Sequence, residues 1–144
     1  MSLLTTMDMS ASGLTSERLR MEIIAENIAN IDTTRSGNSG PYRRKMVVFH
    51  EVLDKEVYRI NNKGLFPGRG VKVTRIIEDD ALPLVAYDPE HPDANEEGLV
   101  MKPNINLADE MVDLITASRS YSANVTVLNT TKAVAIKALT IGRG

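Results

Sequence analysis

The distribution of proline and glycine divides the 144 residues into three parts. All six prolines lie between positions 41 and 103, and residues 104–141 contain neither proline nor glycine. Proline breaks helix interiors and glycine weakens them, so the distribution predicts a long helix at each end and a β-rich middle. The predicted fold class is therefore α+β, with domains at 1–35, 36–103 and 104–144.

The C-terminal segment is the clearest predicted element. A helix of about 35 residues extends about 50 Å at 1.5 Å per residue, which is too long to lie within a globule of this size. Asn106 is placed to cap its N-terminus, and Asp109 and Glu110 fall in the first turn, where acidic side chains are favoured. Gly142 follows the last residue expected to be helical.

Apolar residues recur along this segment on two sides. A 3–4 spacing predicts a coiled-coil seam. The seam positions are Leu107, Met111, Leu114, Ser118, Tyr121, Val125, Leu128, Lys132, Ala135 and Leu139. A second stripe on the opposite side contains Val112, Ala123, Val127, Val134, Ala138 and Ile141. One partner helix covers only one of these stripes, so the second predicts contact with another molecule.

The N-terminal segment has a weaker pattern of the same kind. Leu19 and Ile23 are expected on the side away from its seam, and Thr5 and Asp8 have the spacing of a capping box. The seam consists of Leu4, Met7, Ala11, Leu14, Arg18, Met21, Ala25 and Ile28, with Ile24 and Ile31 alongside. The two terminal helices are therefore predicted to pair as a coiled coil.

The middle of the chain is predicted to form short strands at 43–49, 71–77, 82–87 and 99–101. Its charge is divided into two blocks. Residues 42–75 carry nine Lys or Arg against three Asp or Glu, a local net charge of +6. Residues 76–113 carry one Lys against eleven Asp or Glu, a local net charge of −10. Such blocks can pair within one molecule or between neighbours.

The residues that usually carry chemistry do not form a recognisable constellation. The chain has no cysteine, which excludes disulfides and thiolate chemistry. His50 and His91 are far apart, and neither has a second histidine at ligand spacing, so a surface histidine is favoured over a metal ligand at each. Gly64, Gly68 and Gly70 lack the pattern of a phosphate-binding loop. We therefore predict no catalytic, cofactor-binding or metal-binding residues, and no enzyme.

Membranes and nucleic acids are also not favoured as partners. No apolar run approaches the roughly 18 residues of a membrane span. Charged residues from Asp8 onward interrupt anything resembling a cleavable signal peptide. Arg43, Arg44 and Lys45 form a short basic run, but the chain is acidic overall and aromatic residues are only 4% of it.

The run AENIANIDTTRSG at 25–37, followed by PYRRKMVVF at 41–49, resembles the N-terminal signature of bacterial flagellar axial proteins, the rod, hook and hook-associated family. The stretch GVKVTRIIEDDALPLVAYDPEHPDANEEGLVMKPNIN at 70–106 is similar to a proximal-rod member of that family. Together with the C-terminal heptads, the resemblance covers essentially the whole chain.

The resemblance implies paired terminal helices in an inner tube, with the β-rich middle outside. It implies a structural subunit of the basal-body rod, which crosses the periplasm, transmits torque and receives its subunits by flagellum-specific export without cleavage. The implied partners are other copies, other rod proteins, rod-base and MS-ring components, and the export apparatus. The predicted assembly-interface residues are Leu4, Met7, Leu14, Met21, Asn27, Ile28, Ala29, Asn30, Leu107, Met111, Leu114, Tyr121, Val125, Val127, Leu128, Val134, Leu139 and Ile141.

Two other classes of function stay open at this point. A coiled-coil adaptor or secretion-associated binding module shares the helices but predicts a closed complex with a discrete soluble partner. A small enzyme would use the loop around His91, where Asp88, Glu90 and Asp93 are close in sequence.

Overall fold

The computed structural model describes residues 3–37, 40–53 and 68–142, except for the side chain at position 53. It confirms the predicted α+β class and the order helix, strands, helix. The elements are α1 (Leu3–Ala29), β1 (Lys45–Leu53), β2 (Gly68–Glu78), β3 (Leu84–Tyr87), β4 (Leu99–Lys102) and α2 (Leu107–Ile141).

The ends of the helices agree in part with the sequence patterns. Asn106 caps α2, because its side-chain oxygen accepts a hydrogen bond from the Ala108 N–H at 3.0 Å. Gly142 follows α2 as predicted, but its φ of −72° is right-handed, so the position does not require glycine. The Thr5–Asp8 capping box is wrong, because α1 is already helical at Leu3 and Thr5 therefore lies inside the helix.

The two helices pack against each other in antiparallel directions. Asn27 of α1 bonds to Glu110 of α2, and Arg20 bonds to Asp113. Nearer the start of α1, a Cβ on Gly13 would lie 3.0 Å from the Asn124 side chain. Residues later in α2 thus contact residues earlier in α1, as in an antiparallel pair. The predicted pairing of the terminal helices is confirmed.

The side of α2 that contacts α1 differs from the predicted seam. Glu110, Ala117 and Thr131 are buried, whereas Leu107 and Met111 are exposed. These buried residues follow the same seven-residue repeat as the seam, but each lies one residue before a seam position, about 100° around the helix. The covered side is therefore displaced from the seam, and seam residues such as Leu128 lie at its edge and are half-buried.

The covered side of α1 also differs from its predicted seam. Its buried residues are Ser10, Ser16, Ile23, Ile24 and Asn27. The placement of Ile23 on the far side is therefore wrong, and the seam residues Leu4, Ala11, Arg18 and Ala25 are exposed. Mostly small or polar residues occupy the covered side because α2 approaches closely there and because hydroxyl and amide groups bind the neighbouring strands.

The four strands form two separate two-stranded antiparallel sheets, β1–β2 and β3–β4. All four predicted strands are confirmed, and the first two are longer than predicted. Thr74 is an extra residue in β2, since Val48 lies opposite Arg75 while Phe49 lies opposite Val73. In the turn between β3 and β4, Gly98 has a φ of +73°, a conformation that favours glycine.

The β1–β2 sheet is attached to α1 through its main chain. Ser12 Oγ accepts a hydrogen bond from the Val71 N–H at 3.1 Å, and Ser16 Oγ donates to the Val71 carbonyl at 3.4 Å. Asn27 bonds to both the N–H and the carbonyl of Lys45, each at 2.9 Å. We call Ser12, Ser16 and Asn27 the backbone clamp, because they satisfy main-chain groups as a third strand would.

Candidate assembly interface

Asn27, the first asparagine of the signature, lies at the centre of a buried polar cluster and is only 1% exposed. Its amide nitrogen donates to the Lys45 carbonyl and to Glu110 Oε2, and its oxygen accepts from the Tyr42 hydroxyl and the Lys45 N–H. Both N–H groups and both lone pairs are thus used within the chain. The side chain therefore has a structural role within the single chain, and the place of Asn27 in the assembly interface stays a prediction.

Glu110 is a second member of this cluster and is also 1% exposed. Its Oε1 accepts from Arg44 Nε at 2.5 Å, while Arg44 Nη2 lies 3.4 Å from Asp113 Oδ2. A buried carboxylate is tolerated when a cation and hydrogen bonds surround it, and Arg44 and Asn27 supply both. The sequence marked Glu110 only as a favourable first-turn residue, so this buried role was missed.

Each cation of the basic run lies beside a carboxylate of the same chain. Arg43 Nη1 lies 3.7 Å from Asp80 Oδ1, and Lys45 Nζ lies 2.5 Å from Glu26 Oε1. Arg44 pairs with Glu110 as described above. These contacts give all three cations a structural partner, and the pairs of Arg43 and Arg44 join the basic block to the acidic block within one molecule.

Tyr42 closes the cluster on the side of the loop that precedes β1. It is buried, and its hydroxyl donates to Asn27 Oδ1 at 3.0 Å. Burial, followed by the charges of Glu26, Glu110 and Glu78, raises the pKa of the Tyr42 phenol from 10.0 to about 12. The hydroxyl therefore remains a hydrogen-bond donor throughout the neutral range.

The other signature residues end α1. The Asn30 side chain donates to the Glu26 carbonyl at 2.9 Å and accepts from Thr33 Oγ1 at 3.1 Å. Ile28 is half-buried and Ala29 is exposed. Of Asn27, Ile28, Ala29 and Asn30, the last three therefore offer side-chain surface at the end of this helix.

The surface of α2 carries two apolar stripes that α1 does not cover. At 3.6 residues per turn, they lie about 100° to either side of the line that faces α1. The first flank consists of Leu107, Met111 and Ile136, and the second flank consists of Val112, Val127, Val134 and Ile141; all seven residues are exposed. The second flank belongs to the second stripe of the sequence, so its predicted exposure in a single chain is confirmed.

The remaining predicted interface residues have mixed exposure. Leu4 and Leu139 are 72% and 70% exposed. Seven others are half-buried along the edges of the helix pair: Met7, Leu14, Met21, Leu114, Tyr121, Val125 and Leu128.

The histidines have ordinary surface surroundings. His91 Nδ1 accepts a hydrogen bond from the Asp93 N–H at 3.1 Å, within the turn. His50 is exposed on β1, opposite Lys72. Across residues 3–37, 40–53 and 68–142, no three His, Asp or Glu side chains converge as a metal site would require. Within the same ranges, neither helix combines the length and apolar character needed to cross a bilayer.

Two family models match the chain at the two ends where the helices lie. The model described as "Flagella basal body rod protein" matches residues 7–35, and "Flagellar basal body rod FlgEFG protein C-terminal" matches residues 96–141. A paired-helix fold with both of these segments defines a protein of the flagellar basal-body rod class.

Relatives over the full length narrow this class. The chain is 46% identical to "Flagellar basal-body rod protein FlgC" of Bacillus subtilis, over 96% of this chain and 97% of that one. It is 40% identical to the FlgC proteins of Borreliella burgdorferi, over 100% of both chains, and of Yersinia enterocolitica, over 99% and 100%. The chain belongs to the FlgC family of flagellar basal-body rod proteins.

Proposed function

We propose that this chain is a structural subunit of the flagellar basal-body rod, and that it polymerises through its terminal helices into a helical shaft that transmits torque. In this proposal the terminal segments 1–35 and 104–144 form the inner tube, and the β-rich segment 36–103 lies outside it. Membership of the FlgC family supports the role of rod subunit.

The observation that carries the assembly proposal is the pair of exposed flanks on α2. Burying a large apolar side chain is favourable by about 1.5–3 kcal/mol, so surfaces of this kind are usually covered in the working state of a protein. One neighbour on each flank gives every subunit two different contacts. Contacts of this head-to-tail kind repeat without closing and produce a helical array.

The family also suggests where this assembly takes place and with which partners. We propose the basal body as the location, with the rod crossing the periplasm and its subunits exported without cleavage. The proposed partners are other copies of this chain, other rod proteins, rod-base and MS-ring components, and the export apparatus. A purely structural role without catalysis is part of the same proposal.

Aspartate substitutions on the flanks test the assembly. Met111→Asp lies on the first flank and Val134→Asp on the second, and both side chains are exposed in the single chain. Each variant is therefore expected to fold with wild-type helix content by circular dichroism. In a bacterium that lacks its own copy, each is expected to abolish swimming and the assembly of rods seen by electron microscopy.

Thr126→Asp is the matched control, because it adds the same charge to an exposed position about midway between the two flanks, on the side of α2 away from α1. It is expected to leave swimming intact. Swimming by both flank variants at the wild-type level would refute the assembly proposal. A purified chain that forms a closed complex of fixed size at every concentration, measured by light scattering, would instead favour the adaptor interpretation.

A further inference from the structure

The outward face of the β1–β2 sheet is basic. Lys72 lies opposite His50, and Arg75 lies opposite Val48. Residues opposite each other in a ladder share a face, as do alternate residues of one strand. His50, Lys72 and Arg75 are therefore on one side of the sheet, and all three are exposed. We call these three residues the basic face.

The turn between β3 and β4 is acidic and adjoins an apolar patch. Glu90, Glu96 and Glu97 are exposed in this turn, which we call the acidic turn. Val85 lies opposite Met101, and Tyr87 is two residues from Val85, so these three share a face; they are 61%, 59% and 74% exposed. The Tyr87 ring packs against the turn, since a Cβ on Gly98 would lie 3.0 Å from Tyr87 Cε2.

These two surfaces do not neutralise each other within one molecule. Several neighbouring charges have partners in the chain, such as Arg43 with Asp80 and Arg35 with Asp93. The basic-face cations Lys72 and Arg75 and the three glutamates of the acidic turn form no ion pair with the residues that the structure describes. The β1–β2 and β3–β4 sheets also make no contact with each other in that part of the chain.

We propose that the basic face of one copy docks on the acidic turn and the Tyr87 patch of the next copy. The charges are complementary, and the exposed apolar patch beside the acidic turn supplies the centre that such interfaces have inside a polar rim. Tyr87 also offers an aromatic ring on which a cation such as Arg75 can stack. Since one chain carries both halves, the occupant that fits is a second copy.

This contact deepens the proposed function and rests on it for its biological setting. It joins the β-rich middles of neighbouring subunits and is separate from the flanks of α2. The two halves lie on different sheets, so each copy uses one half toward each neighbour. The contact therefore repeats along an array in the same way as the helix contacts.

Charge reversal in the full-length chain tests this contact by sedimentation velocity in low-salt buffer. One variant reverses the basic face (Lys72→Glu with Arg75→Glu) and the other reverses the acidic turn (Glu96→Lys with Glu97→Lys). In each variant the two docking surfaces have the same charge and repel each other. Each variant alone is therefore expected to self-associate at least about tenfold more weakly than wild type. In an equimolar mixture of the two variants, every contact between unlike copies joins surfaces of opposite charge. The mixture is therefore expected to self-associate as strongly as wild type.

The chain with all four reversals is the matched control for net charge. It keeps the wild-type value of −2 because two reversals of each sign cancel. Its two surfaces have exchanged sign and remain complementary, so it is expected to associate as wild type does. Added salt is expected to weaken wild type and the mixture together, since screening shortens the range of these charges.

The proposal is overturned if the wild-type chain does not self-associate in low salt, if the two-reversal variants associate as wild type does, or if mixing them restores nothing. Rod assembly in cells separates this result from the proposed function. If the wild-type chain builds rods in cells but the charge-reversed variants self-associate in solution as wild type does, only this contact is contradicted. If mixing the two variants restores self-association in solution but the wild-type chain builds no rods in cells, only the proposed function is contradicted.

Discussion

Asn27 and Glu110 are joined by a 3.1 Å hydrogen bond that links the last turn of α1 to the first turn of α2, across 83 residues of sequence. The same asparagine holds both main-chain groups of Lys45, at the start of β1. One side chain therefore fixes the relative positions of both helices and the first strand. The signature asparagine organises the subunit from within.

Replacing this asparagine removes several buried hydrogen bonds together. Asn27→Ala leaves the Lys45 N–H and carbonyl, the Tyr42 hydroxyl and part of Glu110 without partners in the chain. An unsatisfied buried polar group costs about 1–3 kcal/mol, so we expect the free energy of unfolding to fall by at least about 3 kcal/mol. Urea unfolding followed by circular dichroism measures this change.

Asn30→Ala is the control for that prediction. Asn30 bonds only to groups at the end of its own helix, Glu26 and Thr33, and its substitution is expected to cost about 1 kcal/mol or less. Equal losses from the two substitutions would show that Asn27 has no special structural role.

The raised pKa of the Tyr42 phenol predicts that the folded protein loses stability at alkaline pH. Its pKa of about 12 in the folded chain is above the ordinary value of 10.0, so the folded state holds the phenol proton more tightly than the unfolded chain. The resulting stability is complete below pH 10 and is lost as the pH rises to about 12. The free energy of unfolding is expected to fall more steeply over this window in wild type than in Tyr42→Phe, by about 2 kcal/mol in total.

Urea unfolding at a series of pH values from 8 to about 12 measures that difference, and the comparison at pH 8 gives the separate cost of the lost hydroxyl. Parallel curves for the two proteins across the whole range would contradict the assignment of a raised pKa to Tyr42.

Ser12 predicts a local change in hydrogen exchange. Ser12→Ala removes the group that accepts from the Val71 N–H, so exchange of the Val71 amide is expected to become about fivefold faster, as the loss of about 1 kcal/mol implies. Hydrogen exchange followed by NMR measures this rate. The Lys45 amide, which Asn27 holds, is expected to keep its protection in the same variant.

Thr15→Ala is the matched control, because the Thr15 hydroxyl donates only to the Ala11 carbonyl within α1. It is expected to leave exchange of the Val71 amide unchanged. If Thr15→Ala accelerates that exchange as much as Ser12→Ala does, the effect comes from the helix and not from the backbone clamp.

The order of the elements was predictable because it depends on local chemistry. Proline is confined to the middle, residues 104–141 contain no glycine, β-branched residues alternate in the strands, and Asn106 has the side chain that a helix cap needs. These features act within a few residues, and the structure confirms each of them.

The contact between the helices was not predictable from apolar spacing. Gly13, Ser16 and Asn27 lie on the covered side of α1, where close approach and polar bonds matter more than apolar area. The spacing of the largest apolar side chains therefore predicts the wrong side of α1, and Leu4, a residue of the predicted seam, is exposed. The partners of Asn27 and Glu110 depend on the tertiary fold, which no local pattern reports.

The backbone clamp has a consequence for how this protein can diverge. Ser12, Ser16 and Asn27 recognise the main chain of Val71 and Lys45, which is chemically the same for almost every residue type. The side chains at positions 71 and 45 are therefore free to vary without detaching the sheet from α1. Evolution can remodel the outer surface of such a subunit while conserving its mounting on the helices.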